Sequence, residues 1–294
     1  MTVITKTHQM HKFLSSFGKG LLVIAAFYAS MTHAQNEETH KKEISFTTDE
    51  GTWISLDLSP DDKTLVFELL GDLYTMQISG GSASLLLGGN AFHSQPRFSQ
   101  DGNQILYVSD SSGSDQVWAM NVINGQDLRQ VSSMTADIMI SPEWSLDDLS
   151  IFVTVVQGAF SRSATLFQVD VNTGKETSLL MNANGNPSRL ISAPAAGPYL
   201  SSVRSDGQLL YSSVTPRAYG VRQGATSQAM ILDPKSRQAK KISVEKSNSM
   251  NPTFSPDGKW LVYAAESQGK TGLRVQEVTN GKERWLAFPF QRNE

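Results

Sequence analysis

Residues 95–125 read QPRFSQDGNQILYVSDSSGSDQVWAMNVING, and this stretch decides the fold. A polar turn around Asp101 precedes an apolar run at residues 105–108, and a second polar segment precedes the apolar run at residues 117–120. In such turns an Asp side chain bonds nearby backbone N–H groups, and a following Gly accepts positive φ. The pattern therefore predicts short antiparallel strands joined by tight turns.

The same pattern occurs five times along the chain. The repeats align on turn aspartates that are 40, 46, 59 and 51 residues apart: Asp61, Asp101, Asp147, Asp206 and Asp257. An apolar residue lies three places before each aspartate, and another lies four places after it: Leu65, Ile105, Ile151, Leu210 and Leu261. We interpret the aspartates as structural turn residues, with a metal-binding role as the alternative.

Each repeat continues into a third apolar strand and a more polar fourth strand. The five repeats span about residues 54–88, 95–132, 141–181, 199–244 and 251–288. Four antiparallel strands at this interval predict an all-β fold, a β-propeller of four-stranded blades. An irregular β-sandwich is the alternative, but it gives no reason for the same turn chemistry to recur. We expect the five blades to be a truncated six- or seven-bladed ring.

The N-terminal segment has the composition of an export signal. Lys12 and Lys19 precede an apolar run at residues 21–29, and small residues follow as far as Ala34. The run is too short to cross a bilayer as a helix, although an uncleaved membrane anchor is the alternative. We predict a signal peptide, a short linker and the propeller at residues 1–34, 35–43 and 44–294. The expected location is periplasmic or secreted, with no membrane span after cleavage.

Residues 44–47 are typical of a strand placed ahead of repeat one. In many propellers a strand at this position completes the final blade. Repeat five already has its own fourth strand at residues 284–287, so we expect the blade that residues 44–47 complete to lie beyond Glu294. Five blades alone would leave a gap or a strained closure with exposed apolar faces, and would be only marginally stable.

The charge balance argues against nucleic acid as a partner. Without residues 1–34 the chain has 22 basic and 28 acidic residues, a net charge of −6. Such a chain lacks the basic surface that releases counterions from phosphates. It also contains no cysteine, so a disulfide framework and a lipid-attachment cysteine are excluded.

The repeat resembles the WD-like repeat of TolB-like propellers. The resemblance covers most of residues 44–287 and is most specific at residues 95–118. The opening residues 47–81 resemble the propeller that precedes the catalytic domain of exported metal-dependent amidohydrolases. The resemblance implies an exported propeller that binds proteins or is associated with an enzyme.

Catalytic motifs of the related enzymes are missing from the sequence. The amidohydrolases need a His-x-His pair with further ligands, whereas only His40 and His93 follow residue 34. The serine peptidases need a Gly-x-Ser-x-Gly elbow, which does not occur. We therefore predict no enzyme activity, no cofactor and no metal site in this chain.

The candidate binding face comes from long loops rich in Arg and aromatic residues. The links between second and third strands in repeats three and four supply five candidates: Phe160, Arg162, Arg217, Tyr219 and Arg222. Arg and Tyr are enriched at protein interfaces, although an exposed loop of this composition is often only solvated. His93, in the connection between repeats one and two, is a sixth candidate, with a hydrogen-bonded loop residue as the alternative.

Two functions follow from these observations. The first is a non-catalytic scaffold that presents loops to another envelope protein or to a ligand. The alternative is the N-terminal propeller of an exported amidohydrolase or peptidase, whose partner is its own catalytic domain missing from this chain. The sequence does not determine the oligomeric state.

Overall fold

The computed structural model contains strands, turns and loops, and no helix within the part of the chain that it describes. The described residues are 2–7, 43–48, 54–123, 125–157, 163–180, 198–215, 226–242, 249–255, 257–267 and 270–287. The chain divides into two compact units, Met1–Gly51 and Thr52–Glu294. No described segment forms a helix long and apolar enough to cross a membrane.

The first unit contains a two-stranded antiparallel sheet. Strand β1 (Thr2–Thr7) pairs with β2 (Glu43–Thr48), with Thr2 opposite Thr48. Residues 44–47 thus form a strand, and their partner lies within the segment that the sequence predicts to be a signal peptide. The cleavage site at Ala34 lies outside the described residues, so the signal peptide stays a prediction.

The second unit consists of five antiparallel four-stranded sheets, each in sequence order from the innermost strand outward. Blade one contains β3 (Leu56–Leu58), β4 (Thr64–Leu69), β5 (Asp72–Gln77) and β6 (Ser84–Leu87). Blade two contains β7 (His93–Phe98), β8 (Gln104–Ser109), β9 (Gln116–Asn121) and β10 (Arg129–Gln130). Blade three contains β11 (Ile138–Trp144), β12 (Ser150–Gln157), β13 (Ser163–Asp170) and β14 (Glu176–Ser178).

The last two blades follow the same order. Blade four contains β15 (Pro198–Val203), β16 (Leu209–Thr215), β17 (Thr226–Leu232) and β18 (Ala239–Lys241). Blade five contains β19 (Ser249–Phe254), β20 (Trp260–Ser267), β21 (Lys270–Glu277) and β22 (Glu283–Ala287). The prediction of an all-β propeller with five four-stranded blades is confirmed.

The turn aspartates make the hydrogen bonds that shape the first hairpin of each blade. In repeats one, two, three and five a Ser hydroxyl donates to Oδ1 of the aspartate at 2.6 Å. In all five repeats the backbone N–H two residues after the aspartate donates to the same oxygen. The Ser hydroxyls hold the pKa of Asp61, Asp101, Asp147 and Asp257 below its usual range, and the Arg204 guanidinium does so for Asp206.

Repeat four is offset by one residue from the alignment on aspartates. Its turn is shorter, because the N–H of Arg204 donates to the carbonyl of Gln208 four residues later, whereas in repeat two Ser99 reaches Gln104, five residues later. Leu209, not Leu210, therefore lies opposite Val203 on the innermost strand. The expected equivalence of Leu210 with Ile105 was wrong, since Leu209 occupies that position.

Each blade has two faces, which we call rear and front. At the packed interfaces, the rear face of one blade contacts the front face of the preceding blade. Five rear-face residues of blade two pack with Val66 and Leu73 on the front face of blade one: Phe98, Ile105, Tyr107, Trp118 and Met120. Closely packed strands connect blades one to two, two to three, three to four and four to five, but no comparably packed pair of described strands connects five to one.

Candidate functional site

The rear face of blade one is a large apolar surface on the propeller. It carries five residues at the positions equivalent to the rear face of blade two: Leu58, Leu65, Phe67, Tyr74 and Met76. The Phe67 and Tyr74 rings stack with their centroids 5.8 Å apart. Leu56 lies opposite Phe67, and Leu85 lies opposite Tyr74, so both extend the same face. Leu56 is 54% exposed and Leu85 is 60% exposed.

Three of these positions are fully buried in blade two, where a preceding blade is present. Ile105, Tyr107 and Met120 are each at most 1% exposed, whereas the equivalent Leu65, Phe67 and Met76 are only half-buried. Large apolar side chains are kept at these positions of blade one although, among the described strands, none packs on them as blade one packs on blade two. Contiguous exposed apolar surface of this kind is typical of an interaction site.

A polar network fixes blades one, two and three at their innermost strands. Arg97 donates from Nε to the Glu143 carboxylate at 2.9 Å and from Nη1 to the Leu56 carbonyl at 3.3 Å. The N–H of Phe98 donates to Oδ2 of Asp57 at 2.8 Å. These bonds cross from one blade to the next, so the network sets the position of β3, including Leu56, relative to β7 and β11.

Burial controls the protonation of the two carboxyls in this network. Burial raises the pKa of Glu143 to about 7, although the neighbouring Arg97 guanidinium acts in the opposite direction. Burial also raises the pKa of Asp57, against the N–H of Phe98 and the charge of Arg97. Both carboxyls accept hydrogen bonds from the neighbouring blade, which fits a role in fixing the blades.

A β-bulge after a left-handed residue shapes three of the innermost strands. Gln95, Ser141 and Asn251 have φ values of 55°, 53° and 48°, and each is followed by proline. The strand pairing shifts at each of these positions. Gln95 uses the bulge for cross-blade bonds, because its N–H donates to the Ser55 hydroxyl at 2.9 Å and its Oε1 accepts the N–H of Ser141 at 2.6 Å.

His93 is the only candidate from the sequence that lies within the described residues. It is the first residue of β7, and not part of a loop, and it is 4% exposed. Its Nδ1 lies 3.0 Å from the Ser109 hydroxyl, and its ring meets Tyr107 edge-on at 5.5 Å. These contacts are those of a packed strand residue. The other five candidates lie outside the described residues: Phe160, Arg162, Arg217, Tyr219 and Arg222.

The sequence predicts exposed apolar faces for a ring of five blades alone, but not a binding site on the rear face of blade one. The available signal is the placing of large apolar residues two positions apart, at Leu65 and Phe67 and again at Tyr74 and Met76. This spacing predicts an apolar sheet face in the first repeat. Metal ligation has no support in the described part of the chain, where no three His, Cys, Asp or Glu side chains cluster as ligands.

Comparison with known proteins places this architecture in a family. A family model described as the TolB beta propeller domain matches residues 30–198, more than half of the chain. The chain belongs to the TolB β-propeller family. Its blade repeat is therefore the TolB repeat, as the resemblance at residues 95–118 implied.

Proteins similar to this TolB-type propeller include a peptidase, TolB and an oligogalacturonate lyase. An uncharacterized peptidase, YuxL of Bacillus subtilis, is 27% identical over 201 residues, which are 66% of this chain and 26% of YuxL. TolB of Acinetobacter baumannii has a TM-score of 0.62 at 16% identity, covering 84% of this chain and 57% of TolB. An oligogalacturonate lyase in complex with manganese has a TM-score of 0.51 at 14% identity, covering 80% of this chain and 76% of the lyase. The chain thus spans about a quarter of its curated relative, and the solved structures share its fold.

Proposed function

We propose that this TolB-type propeller is a non-catalytic scaffold of the cell envelope that binds another protein through the rear face of blade one. The observation that carries the proposal is the equivalence of this face with the interfaces between blades. Residues that are buried in blade two have apolar counterparts in blade one that remain partly exposed.

The chemistry of the face identifies the kind of partner. In this chain every rear face that is packed receives the apolar front face of another four-stranded sheet. The partner is therefore a protein that presents a β-sheet with an apolar face, and it takes the place that a preceding blade would occupy. Full burial of a leucine contributes about 1.5–3 kcal/mol, so Leu56 and Leu85 are expected to contribute strongly to binding.

The double substitution Leu56→Lys and Leu85→Lys tests the proposal. Both residues are exposed, so the fold should be retained while two charges are placed in the interface. We expect a partner that copurifies with the tagged wild-type chain from its own cells to be lost, as measured by quantitative mass spectrometry. The matched control is Leu146→Lys with Leu149→Lys, two exposed leucines in the first turn of blade three, which should retain the partner. Equal loss from both double variants, or self-association of the chain through this face, would contradict the proposal.

The envelope location rests on the order of basic, apolar and small residues in residues 1–34. We expect the exported protein to begin at Gln35, because cleavage after Ala34 satisfies the small-residue rule of signal peptidase. Mass spectrometry of the periplasmic fraction measures this end directly. A protein that retains residues 1–20, or that stays in the membrane fraction, would show that the segment is not a cleaved signal.

A second candidate function is the propeller portion of an exported peptidase or metal-dependent amidohydrolase. The match to the peptidase YuxL favours the peptidase form. In either form the catalytic groups belong to another domain, so we expect the purified chain to hydrolyse neither peptides nor cyclic amides, with or without divalent metal. Turnover that persists through purification and is lost on heat denaturation would show that the chain itself is an enzyme.

A further inference from the structure

A pocket of about 580 Å³ lies between blades four and five, away from the rear face of blade one. Ile231 and Ile242 of blade four and Leu261 and Val278 of blade five provide its apolar lining. Polar residues of both blades form the remainder of the wall. The pocket is thus an amphipathic cleft within the range of volumes typical of small-ligand sites.

Gln276 lines this pocket and departs from the repeat pattern. It lies opposite Leu261, and the residues at the equivalent position of the other four blades are all apolar: Met76, Met120, Val169 and Leu232. Gln276 is 4% exposed. The glutamine therefore replaces an apolar core residue at the one blade interface that contains this pocket.

Within the described part of the chain, the side-chain amide of Gln276 has a hydrogen-bond partner for its nitrogen but not for its oxygen. Its Nε2 donates to the carbonyl of Ile242 at 2.9 Å, which orients the side chain. Its Oε1 is buried and has no hydrogen-bond partner within the described part of the chain. A buried acceptor without a donor is unfavourable, so the site calls for a ligand that brings an N–H or O–H group.

Lys240 supplies positive charge at the same pocket. It is exposed and lies opposite Ile231 on the outer edge of blade four, so its side chain is on the pocket side of the sheet. It makes no ion pair with any described residue. Arg204, which also lines the pocket, is already paired with Asp206. Lys241 also lines the pocket, but it lies opposite Met230 on the other face of the sheet, so Lys240 is the cation that we assign to an anionic ligand.

We propose that this pocket binds an apolar amino acid that is acylated on its nitrogen and carries a free carboxylate. The amide N–H of the ligand donates to Oε1 of Gln276, the apolar side chain packs on Ile242 and Val278, and the carboxylate pairs with Lys240. A free N-acyl amino acid and the C-terminal residue of a peptide share this chemistry. The proposal does not depend on the protein-binding role of blade one.

Calorimetric titration of the purified chain tests the site with three single-residue probes. These are N-acetyl-leucine, N-acetyl-leucinamide, which lacks the carboxylate, and N-acetyl-N-methyl-leucine, which lacks the N–H. We expect N-acetyl-leucine to bind and both analogues to bind at least about fivefold more weakly. Absence of binding by N-acetyl-leucine, or equal affinity for either analogue, overturns the proposal.

Variants of the protein test the same contacts from the other side. Gln276→Met introduces the residue found at the equivalent position of blades one and two, so it should fold, and it should weaken binding at least about tenfold. Lys240→Gln should weaken binding about three- to fivefold, whereas Lys175→Gln, at an exposed lysine in blade three, should have no effect. Unchanged affinity in a folded Gln276→Met variant overturns the proposal. Titration with acetyl-Gly-Gly-Leu then assigns the source, since tighter binding than N-acetyl-leucine indicates a peptide C-terminus and weaker binding indicates a free acid.

Discussion

Replacing Trp144 with alanine is expected to destabilise the propeller by about 3–5 kcal/mol. Trp144 is 1% exposed and belongs to the apolar cluster between blades two and three. Its indole Nε1 also donates to the carbonyl of Arg97 on the neighbouring innermost strand at 3.3 Å. The substitution therefore leaves a cavity and removes a hydrogen bond where two blades meet.

Urea denaturation followed by far-UV circular dichroism measures this loss for Trp144→Ala. The matched control is Trp260→Ala, because Trp260 starts a blade strand but is 40% exposed. The control should lose about 1 kcal/mol or less. If the two variants lost the same free energy of unfolding, the contact between blades two and three would not be the core that the structure describes.

The stability of the wild-type chain is expected to fall by about 3 kcal/mol between pH 4.5 and pH 7 through Glu143 alone. Burial raises the pKa of Glu143 to about 7 in the folded protein, from 4.5 in the unfolded chain. An acid with a raised pKa in the folded state stabilises that state below the unfolded pKa, and the contribution is lost as the pH rises through the folded value. The stabilising condition is therefore the acidic one.

Glu143→Gln isolates this effect, because glutamine keeps an oxygen that can accept from Arg97 but does not ionise. The variant retains Asp57, whose pKa is also raised by burial, so the main difference between the two proteins is the carboxyl at position 143. From pH 4.5 to pH 7, the free energy of unfolding of the wild type should fall relative to that of the variant. Parallel pH profiles would show that the pKa of Glu143 is not raised in the folded state.

The blades could be predicted from the sequence because their turns depend on local chemistry. A Ser–x–Asp turn needs only a hydroxyl, a carboxylate and the following N–H, all within five residues, as in the bonds of Ser99 and Asp101. The alternation of apolar residues then identifies the strands. Strand number, strand order and the five-fold repetition all followed from these two signals.

Other features depend on contacts between residues far apart in the chain. The Arg97–Glu143 pair joins residues 46 positions apart, and no local pattern predicts that these two side chains meet. Repeat four is offset by one residue because its first turn is one residue shorter than that of repeat two. Arg204 stands there in place of the turn serine, and an alignment on the aspartates does not show the difference in turn length. The place of His93 at the start of a strand is also not evident locally, because its partner, Ser109, lies on the neighbouring strand.

The candidate sites illustrate the same distinction. Arg and Tyr in long loops are visible in the sequence, and exposed apolar faces are expected from the count of five blades. Which side chains form the rear face of blade one is known only once the register of its strands is known. Gln276 is likewise unremarkable in the sequence and becomes informative when it is compared with Met120 at the same place in another blade.

The most direct test of the protein-binding role is site-specific photo-crosslinking from the rear face of blade one. A photoreactive amino acid at position 85, where Leu85 is 60% exposed, reports what covers that face in the cell. The same residue at position 123, where Ile123 in a turn of blade two is 85% exposed, is the control. We expect one adduct with a different protein from position 85, mapped by mass spectrometry to a β-strand of that protein. We expect little adduct from position 123, and loss of the adduct from position 85 on Leu56→Lys. Equal adducts from both positions, an adduct of the chain with itself, or no adduct from position 85 would contradict it.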